Sequence, residues 1–324
     1  MPAKNSRAPL LAAVAALASL AGVVALLAVP TPLRDDRHAS LAGLPTPSET
    51  AGDPPARDSR GQTEPPRTER TEQSPTPDRA GSSGPGTTAV PGASRPGTRP
   101  PVVDHGPRTG NRVALTFDAD MTDAMRHQLR SGAVRSYANL AILDRLERER
   151  VPATFFLTGK WVEEYPDVTR RLAANPRFEL ANHTYGHLAF TSACYGLPAI
   201  PRRRMADDVA RTFDVIAPYG GRQTRYFRFP GLCHDRAALT ELAPLGVTVV
   251  DGDVISGDPF AKSWRPIVDA VLSRVRPGSV VVLHVTEANA AMTDEALPHI
   301  LAGLAARGLS PAPLSEVLDP SRPG

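Results

Sequence analysis

Two acids and two histidines stand at spacings that suit metal-assisted hydrolysis. The run VALTFD ends in Asp118, and Asp120 follows two positions later. Side chains two apart in an extended strand share a face, so both carboxylates can converge on one ion or one water. Taken alone, acids after a strand serve as readily as turn formers or helix caps. A second cluster, NHTYGH, sets His183 and His187 at i and i+4. On a helical turn that spacing puts both rings on one face, as a zinc-like ion requires, although solvated helix faces carry such pairs too. Together the clusters supply three or four nitrogen and oxygen ligands and leave a position for water, which is the composition of a catalytic metal site.

Two further residues extend this chemistry. Arg225 and Arg228 lie in RYFRFPG, a β-type run closed by Pro230 and Gly231. A guanidinium there either covers the core edge with its stem or forks onto a carboxylate and holds it ionised, as a general base needs. His284 ends the apolar run SVVVLHV. It is either a satisfied buried histidine or, if it faces the acids, a general acid.

Positioning these groups requires strand ends that converge. Candidate strands are 113–118, 153–158, 178–183, 226–230, 247–250 and 279–285, and helical patterns lie between them at 139–150, 204–217, 265–276 and 294–308. Such alternation predicts an α/β fold with a parallel sheet and crossover helices. A (β/α) barrel is preferred here to an open doubly wound sheet, and both put chemistry at the C-terminal strand ends.

The rest of the chain has a different texture. Every Phe, Tyr and Trp lies at or after Phe117, so the first third lacks the large apolar side chains a core needs. Residues 31–110, rich in Pro, Ser, Thr, Gly and Arg, predict a disordered linker, and 111–324 a single folded domain. Residues 8–29 carry no charge and follow Lys4 and Arg7. That pattern predicts a membrane anchor with the remainder outside the cytoplasm, or alternatively a cleaved signal segment. The net charge of +3 and the absence of basic clusters interleaved with aromatics argue against nucleic acid as a partner. Cys194 and Cys233 are too few for a disulfide scaffold and lack zinc-ribbon spacing, but an exported chain can pair them.

In this order, TFDAD, VPATFFLTG, NHTYGH, RFPG, SGD and LHV resemble the motifs of the polysaccharide deacetylase family over about residues 111–318. The resemblance implies a distorted (β/α) barrel and removal of acetyl groups from N-acetylated sugars of chitin or peptidoglycan. It implies Asp118 as general base, Arg228 as the arginine that orients it, His284 as general acid and Asp258 as the acid that tunes His284. It also implies His183 and His187 as ligands of a divalent metal, expected to be Zn2+.

The chain departs from the family pattern in three places. Ala119 stands where the family has its metal-binding Asp, and Asp120, on the same face as Asp118, is expected to replace it; failing that, Asp118 would bind the metal itself. Pro259 replaces the usual tryptophan, and Asp251 and Asp253 compete with Asp258 for the tuning role. Val282 stands where leucine is common, beside the acetyl pocket. The loops after the histidine pair and after RFPG are expected to border the cleft, joined by a Cys194–Cys233 disulfide. The Ala119 change also raises an inactive carbohydrate-binding protein on the same scaffold, and a deacetylase of a non-sugar amide or ester is a further alternative. Oligomeric state is not legible.

Overall fold

The computed structural model describes residues 89–321. The apolar segment at 8–29 and the linker up to residue 88 lie outside the described residues. Among the described residues, no helix is long and apolar enough to cross a membrane.

The strands are β1 (Val102–Val103), β2 (Arg112–Ala119), β3 (Ala153–Leu157), β4 (Phe178–Asn182), β5 (Arg222–Phe227), β6 (Thr248–Val250), β7 (Val254–Ile255), β8 (Val280–His284) and β9 (Ser310–Pro311). Their order is β1-β6-β5-β4-β3-β2-β8-β7, with β9 on β2, and the pairings are parallel. Six strand spacings separate β6 from β7, roughly 29 Å in a flat sheet at about 4.8 Å each. In sequence only Asp251, Gly252 and Asp253 lie between them, and the four Cα steps from Val250 to Val254 reach about 15 Å at most. The sheet therefore curls until its ends approach, which gives the distorted (β/α) barrel expected from the sequence.

Burial follows from that curl. β2 is buried from Val113 to Ala119 because helices cover one face and the barrel interior the other. Val113, Leu115 and Phe117 pack in the helix-side core with Ile142, Leu146, Leu297 and Ile300. The interior holds Ala114, Phe156, Ala181, Tyr226, Val250 and Val280 from six strands, and Ala312, Leu314 and Val317 close its floor. A fully buried ring such as Phe156 contributes about 1.5–3 kcal/mol.

The expected helices form at Leu140–Arg148, Met205–Ile216, Trp264–Leu272 and Thr293–Ala306. Asn139 starts the first by accepting from Ala141 N. The strand expected at 226–230 runs instead over Arg222–Phe227. Pro230 has no N–H for a sheet ladder and opens a 3-10 turn, Pro230–Leu232.

The linker boundary expected at residue 110 also needs correction. Ser94 N donates to Gly246 O at 2.9 Å, Gly97 N to Ala243 O at 2.8 Å and Arg225 N to Pro91 O at 2.6 Å. Val102 and Val103 then add β1 to the free edge of β6. Backbone groups at a sheet edge recruit this segment without aromatic side chains, so composition did not reveal it.

Candidate active site

Each candidate site residue sits at or just beyond a C-terminal strand end. Asp118 is in β2 and Asp120 follows it, His183 follows β4, Arg228 follows β5, and His284 ends β8. Asp258 lies in the turn after β7.

Arg228 is fully buried and crosses the barrel interior. Its Nη1 donates to Asp118 Oδ1 at 2.6 Å and to Thr116 Oγ1 at 3.0 Å, and Nε donates to Val250 O at 3.0 Å. The guanidinium also lies 4.0 Å from the centroid of the Phe156 ring. Both the anchor, Thr116, and the acid, Asp118, come from the inward face of β2, two residues apart. A charge-assisted bond thus fixes Asp118 Oδ1 in place. Arg225 has no part in this and stacks on Phe213.

The histidines converge, but not on a helical turn. After β4 the chain turns irregularly, with Thr184 at φ 72° and His187 at φ 54°. Left-handed backbone is unfavourable for both residues and is held here by local bonds. Asn182 Oδ1 accepts from Thr184 N at 2.9 Å, and Thr184 Oγ1 accepts from His187 N at 3.0 Å. The i, i+4 spacing was therefore informative for a different geometric reason than periodicity.

Asp120 does reach. His183 Nε2 and His187 Nε2 lie 3.4 and 3.2 Å from its Oδ1, which makes no hydrogen bond although it is buried. Asp120, His183 and His187 offer ligand atoms all within 4.8 Å of one another. His183 Nδ1 meets Arg228 O at 2.9 Å, which leaves Nε2 pointing at the acid. Burial alone would raise the Asp120 carboxyl, but the His187 and His284 charges and contacts with His183 hold it well below the usual carboxylate range. A carboxylate oxygen without a donor, facing two ring nitrogens, fits a divalent cation. Ala119 is buried in the helix-side core, on the opposite face from Asp118 and Asp120.

The competition among acids is decided by their partners. Asp258 Oδ1 meets His284 Nδ1 at 2.8 Å and accepts from Ser256 Oγ at 2.8 Å. Its Oδ2 accepts from His284 N at 2.7 Å and Thr293 Oγ1 at 2.6 Å. Asp253 instead takes Arg108 and Val280 N, and Asp251 takes His234. Burial lowers the His284 pKa, but Asp258 first, then Asp120 and Asp118, overcome this and push it up to about 10. Its Nε2 lies 3.8 Å from Asp120 Oδ2. Sequence reasoning passed over Thr116, Ser256 and Thr293. Thr116 and Ser256 each stand two residues before an acid, while Thr293 carries no local signal.

A cavity of about 190 Å³ opens over these groups, bordered by Asp118, Asp120, His183, His187 and His284 and walled by Val282 and Pro259. Cys194 and Cys233 are disulfide-bonded, joining the two expected loops. Tyr195, Leu197, Gly231 and Leu232 from those loops line the cavity mouth.

The polysaccharide deacetylase family model matches residues 105–250, a span that ends before Asp258 and His284. A chitooligosaccharide deacetylase of Bradyrhizobium is 30% identical over 193 residues, covering 54% of this chain and 82% of its own. One from Sinorhizobium fredii is 36% identical over 143 residues, covering 44% of this chain and 63% of its own, so the chain spans less than two thirds of that relative. The crystal structure of a CE4 family pseudoenzyme from Bacillus anthracis has the same fold, with TM-score 0.55 and 21% identity over 68% of this chain and 69% of that one. Because the Bradyrhizobium chitooligosaccharide deacetylase is 30% identical and is matched over 82% of its own length, the chain belongs to the polysaccharide deacetylase family.

Proposed function

We propose that this chain removes N-acetyl groups from an N-acetylglucosamine-containing polysaccharide, with cell-wall peptidoglycan as the intended glycan. One observation carries the reading: an Arg228-held Asp118 and an Asp258-held His284 face one cavity across Asp120, His183 and His187. The last three would hold the divalent metal, for which the nitrogen and oxygen donor set favours Zn2+. When bound, such an ion polarises the acetamide carbonyl and makes a nearby water more acidic.

The chain's own residues then divide the proton work. Asp118 takes a proton from the attacking water as its oxygen bonds to the acetyl carbon. Arg228 keeps that carboxylate aimed until then. His284, protonated at neutral pH, gives a proton to the sugar nitrogen as the C–N bond breaks, releasing acetate and an amine. Asp258 orients the ring and favours its charged form. Peptidoglycan is preferred to free chitin because residues 8–29 read as an anchor or signal segment and 31–88 as a tether reaching into a wall.

The test is acetate release from N-acetylglucosamine oligomers and from purified cell-wall glycan by the full chain, with and without chelator. Chelator-sensitive release from the wall glycan supports the whole reading. Glycan binding without release favours the inactive binding protein that Ala119 raises, and release from small acetyl esters alone favours a non-sugar substrate.

A further inference from the structure

Tyr195 and Phe260 are 76% and 72% exposed, the most exposed large apolar side chains among the described residues. Their ring centroids lie 6.0 Å apart at 38°, and both rings border the cavity that contains Asp118 and His284. Tyr195 comes from the loop after the histidine pair, and Phe260 from the turn that carries Asp258.

The fold goes to some length to hold Tyr195 there. Its neighbour Cys194 is tied to Cys233, and Tyr195 itself takes the left-handed backbone, φ 48°, that a tyrosine disfavours. Gly231, at φ 60°, lies directly under the ring: a Cβ on it would stand 2.9 Å from Tyr195 Cδ2 and 2.7 Å from Cys194 Sγ. A disulfide, a strained residue and a bare backbone thus converge on one solvent-facing ring. Strain held at a cleft edge points to use.

We propose that Tyr195 and Phe260 form a two-ring platform for the sugar next to the one being deacetylated, so that the chain acts on oligosaccharides in preference to single sugars. This rests on the deacetylase reading above. The cavity of about 190 Å³ is smaller than the roughly 300–1,000 Å³ that buries a typical ligand, so binding of a chain must draw on its rim. Aromatic faces, negative at their centre, take the positively polarised C–H face of a pyranose. Two rings are also too little for a stable protein partner, which needs about 800 Å² per side.

The experiment uses the full chain supplied with zinc, as wild type and as Tyr195→Asn/Phe260→Ser, with Asn chosen because it tolerates the left-handed backbone. Acetate release is measured on N-acetylglucosamine and its dimer to tetramer, with calorimetric binding of the same sugars. The ratio of kcat/KM for tetramer to that for monomer should fall roughly tenfold in the double variant, mainly through KM, and Tyr195→Trp should retain it. Equal losses at every length, or no loss, would overturn the platform. If the wild type releases no acetate, length-dependent binding that the double variant loses upholds the platform while the deacetylase reading falls; binding indifferent to the rings overturns the platform. A dimer that dissociates on the double substitution would assign the rings to contact between copies instead.

Discussion

Arg228 Nη1 donates to Asp118 Oδ1 at 2.6 Å from a fully buried guanidinium, leaving Oδ2 turned towards His183 Nε2 at 3.8 Å. One carboxylate oxygen is therefore committed to orientation and the other is available for a proton. Asp118→Asn should lower kcat by roughly 10²–10⁴-fold, the usual worth of a general base, in acetate-release assays. Arg228→Met, which strips the buried acid of its partner, should cost about 3–5 kcal/mol in urea denaturation. Lysine at this position should not restore the wild-type value, because one ammonium cannot reproduce the separate Nε and Nη1 bonds.

Asp120→Ala should remove bound metal from the protein, read as zinc content after dialysis and as loss of the metal-dependent rise in Tm. Adding Ala119→Asp to that variant should not bring the metal back, because position 119 faces the helix-side core. The double variant should also be less stable than Asp120→Ala, since a carboxylate at 119 would be buried without a partner.

His284 is held protonated to about pH 10, chiefly by Asp258 acting against burial. The acid form is present below that pKa and lost above it, so kcat should fall on the alkaline side. Asp258→Asn removes the largest raising influence and should move that alkaline limb to lower pH. A limb that stays in place would remove His284 from the acid role or Asp258 from the tuning role.

The Cys194–Cys233 bond closes a loop across 39 positions. Its replacement by serines should cost roughly 2–4 kcal/mol, measured by denaturation with and without reductant on both proteins. Stability lost on reduction of the wild type should match that of the serine variant.

Much of the architecture was legible because it is local. Continuous apolar runs and 3.6-residue periodicity located the strands of the barrel wall and its longer helices, and Asp118, Asp120, His183, His187, Arg228 and His284 stood out as chemistry-bearing types at strand ends. β1, β7 and β9 are too short to carry a pattern, and residues 89–110 dock through backbone groups that every residue possesses. The helical face inferred for His183 and His187 failed because a five-residue spacing does not specify a conformation, and Thr184 and His187 take left-handed backbone.

By itself the sequence determined which residue types were on hand and that strand ends would present them. Only the tertiary structure decided which acid serves which partner. Asp251, Asp253 and Asp258 are nearly indistinguishable along the chain, yet β7 and the helix bearing Thr293 bring only Asp258 to His284, while Arg108 and His234 occupy the other two. Likewise Asp120 replaces Ala119 in facing the histidines because alternate residues of β2 point to opposite sides of a curled sheet, and the curl brings distant strand ends together.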